Sequence, residues 1–317
     1  MDVPSELIGK ERVMALLKER IDRLILEIVH RLGAGRFFIH RTGRRYIPIL
    51  AYHEIERTNF ENHIRFLRST GCCFVSMDQL GRSFQERRLL PPGAVVITFD
   101  DGWASNYTEV LPVACEQAVP ITIYLVSGIY STGIKPWFFR HAELKSSGIR
   151  DLPDADTPEI LPDGRRNPVI MKSIHRYGGR ITRSHTLSID EIMEMKASGH
   201  ISFGSHTMTH SDLNQLPAEL AACEIAESKG VLEIILKSPV RHFAYPKGIF
   251  SADHPGMVRR AGYDTAVTVI PGWNYPETAD PFSLKRITLS AADDVVLLSA
   301  KLSGFWYYLR GLRKGFV

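Results

Sequence analysis

Six residues, Ala94 to Phe99 (AVVITF), limit the fold of this chain more than any other stretch. The run is short, almost wholly apolar and rich in β-branched residues, which suits a strand buried on both faces, the kind found in parallel sheets covered by helices. It stops abruptly at two adjacent carboxylates, Asp100 and Asp101, followed by Gly102. Adjacent residues at a strand end point in different directions. Two acids there can do different work: one can bind a metal while the other handles a proton. Asp-Asp-Gly is also an ordinary turn sequence, so the pair needs further residues around it to count as a site.

The rest of the chain repeats the strand-then-helix pattern. Strands are expected at 46–52, 72–76, 120–126, 200–205, 240–245, 264–270 and 284–289, besides 94–99. Helices are expected at 9–33, 60–70, 77–86, 110–117, 188–198, 217–236 and 255–261. Ser188 and Glu191 stand at capping-box positions, and Pro217 suits a first helical turn. This alternation predicts an α/β fold with mostly parallel strands, and about seven units favour a barrel over an open sheet. The stretch 131–186 breaks the pattern and is too long for an ordinary loop, so it reads as an insert or lid. The chain divides into an amphipathic helix and basic linker (1–45), the main α/β domain (46–290) and a basic, aromatic extension (291–317).

Composition excludes little. The 317 residues are 44% hydrophobic and 23% charged, enough for a sizeable core, and the net charge of +4 gives no reason to expect nucleic acid. The four cysteines, Cys72, Cys73, Cys115 and Cys223, lack metal-ligand spacing, which favours a reduced compartment. No apolar run is long enough for a membrane span, and the N-terminus does not read as a secretory signal. A cytoplasmic protein is the expectation.

Four polar clusters fall just after expected strands: His53, Asp100-Asp101, His206 and 246–248. In parallel barrels the C-terminal rim of the strands houses the chemistry. His206 and His210 are four residues apart, which on a helix or tight turn brings both imidazoles within reach of one metal. A carboxylate from another strand end would complete a set with open positions for water, as hydrolytic metal sites require.

TFDDG at 98–102 and SHTMTH at 205–210 resemble the first two motifs of the polysaccharide deacetylases, the NodB-homology group or carbohydrate esterase family 4. FAYPKG at 243–248 resembles the third, and GYDTAV at 262–267 lies where the fourth begins. The resemblance covers roughly 46–290. It implies a distorted (β/α)7 barrel of the NodB-homology type, with an inserted segment and helical terminal extensions. It also implies a metal-dependent hydrolase that removes N-acetyl groups from an N-acetylated sugar or polysaccharide. Asp101, His206 and His210 match the metal ligands for one divalent ion, with zinc favoured. Asp100 matches the general base, and the backbone N–H of Lys247 an oxyanion donor.

Two departures stand out. The usual third motif carries an arginine where this chain has Ala244, and the late histidine acid is missing from 284–290. AYHEI at 51–55, however, resembles the opening motif of the permuted poly-N-acetylglucosamine deacetylases, in which the acid comes first. His53 is therefore the expected acid, and Arg286 the candidate to replace the missing arginine beside Asp100. The remaining histidines show no convergent spacing. Trp137 to Phe139 suit either a sugar-stacking platform or the packing of the insert.

Two other readings stay open: deacylation of a lipid-linked sugar, or glycan binding without catalysis. Both chain ends also combine apolar or aromatic residues with cations. Lys10, Arg12, Lys18, Arg20, Arg23 and Arg31 flank the 9–33 stripe. Phe305, Trp306, Tyr307, Tyr308 and Phe316 stand among Lys301, Arg310, Arg313 and Lys314. Such mixtures favour contact with an anionic membrane. The competing expectation is that both ends pack on the barrel.

Overall fold

The computed structural model describes residues 20–33, 46–147 and 184–311. The first part of the helix expected at 9–33, the basic linker, most of the insert (148–183), and Arg313, Lys314 and Phe316 lie outside the described residues.

Eight strands appear in chain order: β1 (Ile49–Tyr52), β2 (Cys73–Phe74), β3 (Ala94–Phe99), β4 (Ile121–Leu125), β5 (Ile201–Ser205), β6 (His242–Ala244), β7 (Thr265–Val267) and β8 (Ile287–Thr288). Their order in the sheet is β7-β6-β5-β4-β3-β1-β8, with β2 beside β3, and every strand pairing is parallel. The segment entering β8 touches both edges of this curled sheet. Leu284 bridges Val267 of β7, while Ile287 pairs with Leu50 of β1. The expected distorted barrel is therefore drawn together through one short segment.

Successive side chains along a strand point to opposite faces, and both faces here are covered. Ile49, Val96, Tyr124, Ala244 and Val267, from five different strands, and Leu284, from the segment entering β8, pack together inside the barrel. Leu50, Tyr52, Val95, Ile97 and Phe99 point the other way, against Phe60, Ile64 and Leu67 of the helix Arg57–Ser69. This two-sided burial is why β3 carries almost no polar residue.

The helices Met77–Glu86 and Ile189–Ala197 open with capping boxes, Ser76 with Gln79 and Ser188 with Glu191. The helix expected at 110–117 starts earlier, as a π turn over Asn106–Val110 that runs into Leu111–Glu116. The Leu111 N–H reaches back to the Asn106 carbonyl. Pro112, next in line, has no N–H to continue the ordinary ladder. The strands expected at 264–270 and 284–289 shorten to β7 and β8, because the chain at 284–288 leaves one strand edge for the other within a few residues. All four cysteines are unpaired.

Candidate functional site

Because the strands run parallel, their C-terminal ends share one rim. His53 follows β1, Asp100 and Asp101 follow β3, His206 follows β5, and the segment Pro246–Gly248 follows β6. The rim brings Asp101, His206 and His210 together, each offering one ligand atom, with those atoms all within 4.8 Å of one another. His206 Nε2 lies 3.6 Å and His210 Nε2 3.4 Å from Asp101 Oδ1. His53 Nε2 approaches from the solvent side, 3.9 Å from Asp101 Oδ2, with its side chain 48% exposed. The Asn106 side-chain amide, in the π turn, donates to the His53 carbonyl at 3.0 Å.

His206 and His210 reach one point through a tight loop, not a helix. Three neighbours fix that loop. The Glu224 carboxylate accepts from the backbone N–H groups of Met208 and Thr209, both at 2.9 Å. The Ser127 and Gly128 N–H groups donate to the carbonyls of Thr207 and Met208 at 3.1 and 2.8 Å. A Cβ at Gly128 would lie 2.4 Å from the Met208 carbonyl oxygen, so only glycine allows this approach. Third, His206 Nδ1 lies 2.8 Å from the Ala244 carbonyl. A carbonyl only accepts, so Nδ1 carries the proton and Nε2 keeps its lone pair facing Asp101.

Backbone strain gathers at the same place. Seven described non-glycine residues have positive φ. Arg87 and Lys237 are helix C-caps, and Ala118 follows a helix end. The other four are Asp101 (73°), Thr207 (65°), His210 (60°) and Lys247 (56°), all on the rim. Left-handed backbone in such residues costs on the order of 1 kcal/mol each and persists where surrounding structure enforces it.

Asp100 points into the barrel and meets Arg286. The guanidinium Nη1 and Nη2 donate to Asp100 Oδ1 and Oδ2 at 2.7 and 2.6 Å, a two-pronged charge-assisted pair. Arg286 is wholly buried. Its Nε donates to the Thr268 carbonyl at 2.6 Å, and its carbon Cζ lies 5.8 Å from the Tyr124 ring centre. Burial alone would raise the Asp100 carboxyl, but Arg286 outweighs it and holds Asp100 well below the usual carboxylate range. Arg286 thus stands beside Asp100, where the sequence lacks the third-motif arginine.

The cluster fits a divalent cation. Asp101 Oδ1 is buried and has no hydrogen-bond partner. Its other oxygen accepts from Trp103 Nε1 at 3.2 Å. Burial pushes His206 and His210 down to about 4, so both imidazoles are neutral at pH 7 with lone pairs to offer. Without metal, the unfolded chain therefore holds more protons on these rings than the folded one between about pH 4 and the usual histidine value of about 6.5. Stability from this source is complete above about 6.5 and declines toward 4. Urea midpoints are expected to fall over that window. His63 and His254 are shifted the same way, so the deciding comparison is with a His206→Asn/His210→Asn variant. Its dependence should be flatter; an unchanged slope would rule out the two rim histidines as its source.

The walls beside the cluster are aromatic. Phe139 is buried against Trp103, with ring centres 4.5 Å apart, and Phe138 meets His210 edge-on at 5.0 Å. Trp137 instead lines a cleft of ≈ 240 Å³ together with His210, Asp212, Gln215 and Lys247. The aromatic triplet thus divides between packing and cleft wall. Sequence reading did not single out Trp103, Asn106, Gly128 or Glu224. Trp103 alone carried a signal, two residues after Asp101. Among the other described histidines, His63 bonds Tyr52 and the Asp293 carbonyl, and His242 bonds Asp78 and Thr265. These are satisfied structural residues. His40 and His175 lie outside the described residues.

The family model described as polysaccharide deacetylase matches residues 88–266. A Bacillus subtilis protein named as a polysaccharide deacetylase, YxkH, is 23% identical over 234 residues, 71% of this chain and 65% of the relative. The chain thus spans just under two thirds of that relative's length. Among solved structures, the Streptococcus pyogenes deacetylase PplD in complex with acetate superposes with a TM-score of 0.60 at 20% identity, covering 81% of this chain and 98% of the other. IcaB from Ammonifex degensii gives 0.58 at 20% identity, covering 82% and 97%. At these identities the two likenesses establish the fold.

Proposed function

Because this chain belongs to the polysaccharide deacetylase family, we propose that it hydrolyses the N-acetyl amide of an N-acetylated glycan at the rim formed by His53, Asp100, Asp101, His206 and His210. One observation carries the reading most: a buried, unpartnered carboxylate oxygen of Asp101 beside two neutral imidazoles, with an ionised Asp100 next in sequence. A divalent cation held by Asp101, His206 and His210 would polarise the acyl carbonyl and acidify the attacking water, and two imidazoles with one carboxylate suit zinc, cobalt or nickel.

The chain's own residues supply the rest. Asp100 accepts the proton of the attacking water, and Arg286 keeps it ionised for that task. The Lys247 backbone N–H donates to the oxygen that becomes negative in the tetrahedral species. The amide C–N bond then breaks, and His53 gives its proton to the departing nitrogen, leaving acetate and a free amine. The cleft lined by Trp137, Gln215 and Lys247 receives the neighbouring sugar, whose ring face suits an aromatic wall. No observation favours the readings of a lipid-linked sugar substrate or of binding without catalysis.

Incubation of metal-loaded protein with N-acetylglucosamine oligomers should release acetate and free amine in equal amounts. Chelation should stop it, and re-addition of zinc or cobalt restore it. Absence of acetate from folded, loaded protein on oligomers of every length would count against the proposal. His53→Ala should keep the metal and slow amide hydrolysis by about 10²–10⁴. The defect should shrink on activated esters, whose leaving groups need no proton. Equal losses on both substrates would remove His53 from the acid role.

A further inference from the structure

The helix at 20–31 is fastened to the molecule by one face only. Leu26 is 4% exposed, and Arg23 bonds both oxygens of Asp294 at 3.2 and 2.5 Å. His30 packs on Phe66 with ring centres 5.6 Å apart. Ile21, Leu24, Ile28 and Leu32 recur at spacings of three, four and four and form a single stripe on the other side. They are 49%, 58%, 49% and 80% exposed. A surface helix ordinarily turns such a stripe toward the core; here the core lies against the other face.

The charges on the helix are sorted. Arg20 and Arg31, both exposed, border the stripe on one side. Asp22 lines the cleft toward the carboxyl-terminal helices, and Glu27 is bonded to Arg23 at 3.1 Å. That cleft, ≈ 190 Å³, runs between Leu26 and the residues Leu297, Trp306 and Leu309. Beyond it Tyr308 is 52% exposed. Much of the carboxyl-terminal stretch is committed inward. Lys301 Nζ bonds the Thr288 carbonyl and Asp293, Tyr307 is buried, and Trp306 has Lys301 and Arg310 each 5.1 Å from its ring centre. Lys301 and Tyr307 therefore pack inward, as the competing expectation has it, while the stripe on the amino-terminal helix stays exposed.

We propose that Ile21, Leu24, Ile28 and Leu32, bordered by Arg20 and Arg31, form a docking surface for an anionic lipid bilayer. The occupant follows from charge and size. Cations beside an apolar stripe complement acidic headgroups above acyl chains. Four aliphatic side chains on one short helix fall well below the ~800 Å² that each partner of a standard protein complex contributes, which disfavours a second copy. Among the described residues no helix is long and apolar enough to cross a membrane, so the contact is with the surface. This inference stands apart from the deacetylase reading and does not depend on it.

Co-sedimentation of the full chain with vesicles tests it, comparing phosphatidylcholine alone with an equal mixture of phosphatidylcholine and phosphatidylglycerol. At low salt the protein should partition onto the anionic vesicles and only weakly onto the neutral ones. Leu24→Glu/Ile28→Glu should lower the partition at least about tenfold, and Arg20→Gln/Arg31→Gln by about tenfold on anionic vesicles only, with added salt mimicking the second change. All four side chains are exposed, so unchanged far-UV circular dichroism verifies the fold. Three results would overturn the proposal: the parent protein staying in the supernatant with anionic vesicles, the Glu variant sedimenting as well as the parent, or light scattering showing a dimer that the Glu variant dissociates while vesicles bind neither form.

Discussion

His206→Ala is expected to lose bound metal and acetate release together, while Asp100→Asn keeps the metal and loses turnover. His206 is 2% exposed, and its orientation is set by the Ala244 carbonyl, which leaves its Nε2 facing Asp101. Alanine leaves two donors, Asp101 and His210, where three are needed for tight binding at an open hydrolytic site. Asp100→Asn removes the proton acceptor and the counter-charge of the buried Arg286 but none of the three donors that face the metal, and a lost acid–base group costs about 10²–10⁴ in rate. Metal analysis after gel filtration, set beside initial rates, separates the two variants. One tightly held ion per chain in His206→Ala would place the metal elsewhere.

Arg286→Met should destabilise the fold by about 3–5 kcal/mol, because it strands a buried carboxylate. Asp100 is 2% exposed, and both its oxygens rely on the one guanidinium. With Arg286 gone, burial dominates and pushes the Asp100 carboxyl upward. The base then stays protonated to higher pH, so the acid limb of the rate profile should move toward alkaline values. In the parent protein the depressed Asp100 adds stability that is present above its unfolded value of about 3.9 and is lost as pH falls further. Arg286→Met/Asp100→Asn should be more stable than Arg286→Met alone, yet remain inactive. Chemical denaturation of the four proteins closes the cycle. An Arg286→Met protein as stable as its parent, with an unmoved pH profile, would show that the pair does not poise Asp100.

Much of the architecture was legible in local pattern. Burial on both faces leaves an unbroken apolar run, so β3 is found at its full length from sequence. Helix starts with reciprocal side-chain caps, as at Ser188 and Glu191, are equally local. The residues at the rim were legible for a related reason: a strand that ends abruptly in polar residues marks its own C-terminal end. The π turn at Asn106–Val110 was not legible, since its pitch depends on where Pro112 falls against the neighbouring ladder. The inward commitment of Lys301 was hidden too, because an amphipathic lysine reads as solvent-facing until a buried Asp293 is placed beside it.

By itself the sequence determined the strand-and-helix alternation, the two carboxylates after β3, the paired histidines after β5 and the histidine after β1. These follow from periodicity and from what a strand end can display. Only the tertiary structure decided which strand ends are neighbours. Asp100 and Arg286 are 186 residues apart in the chain, and they meet because the segment 284–288 crosses from β7 to β1. The same holds for Glu224, whose helix carries it to the loop that aims His206 and His210. The left-handed backbone at Asp101, Thr207, His210 and Lys247 is likewise a product of assembly. Each residue alone prefers another conformation, and only contacts from distant strands and helices outweigh that local preference.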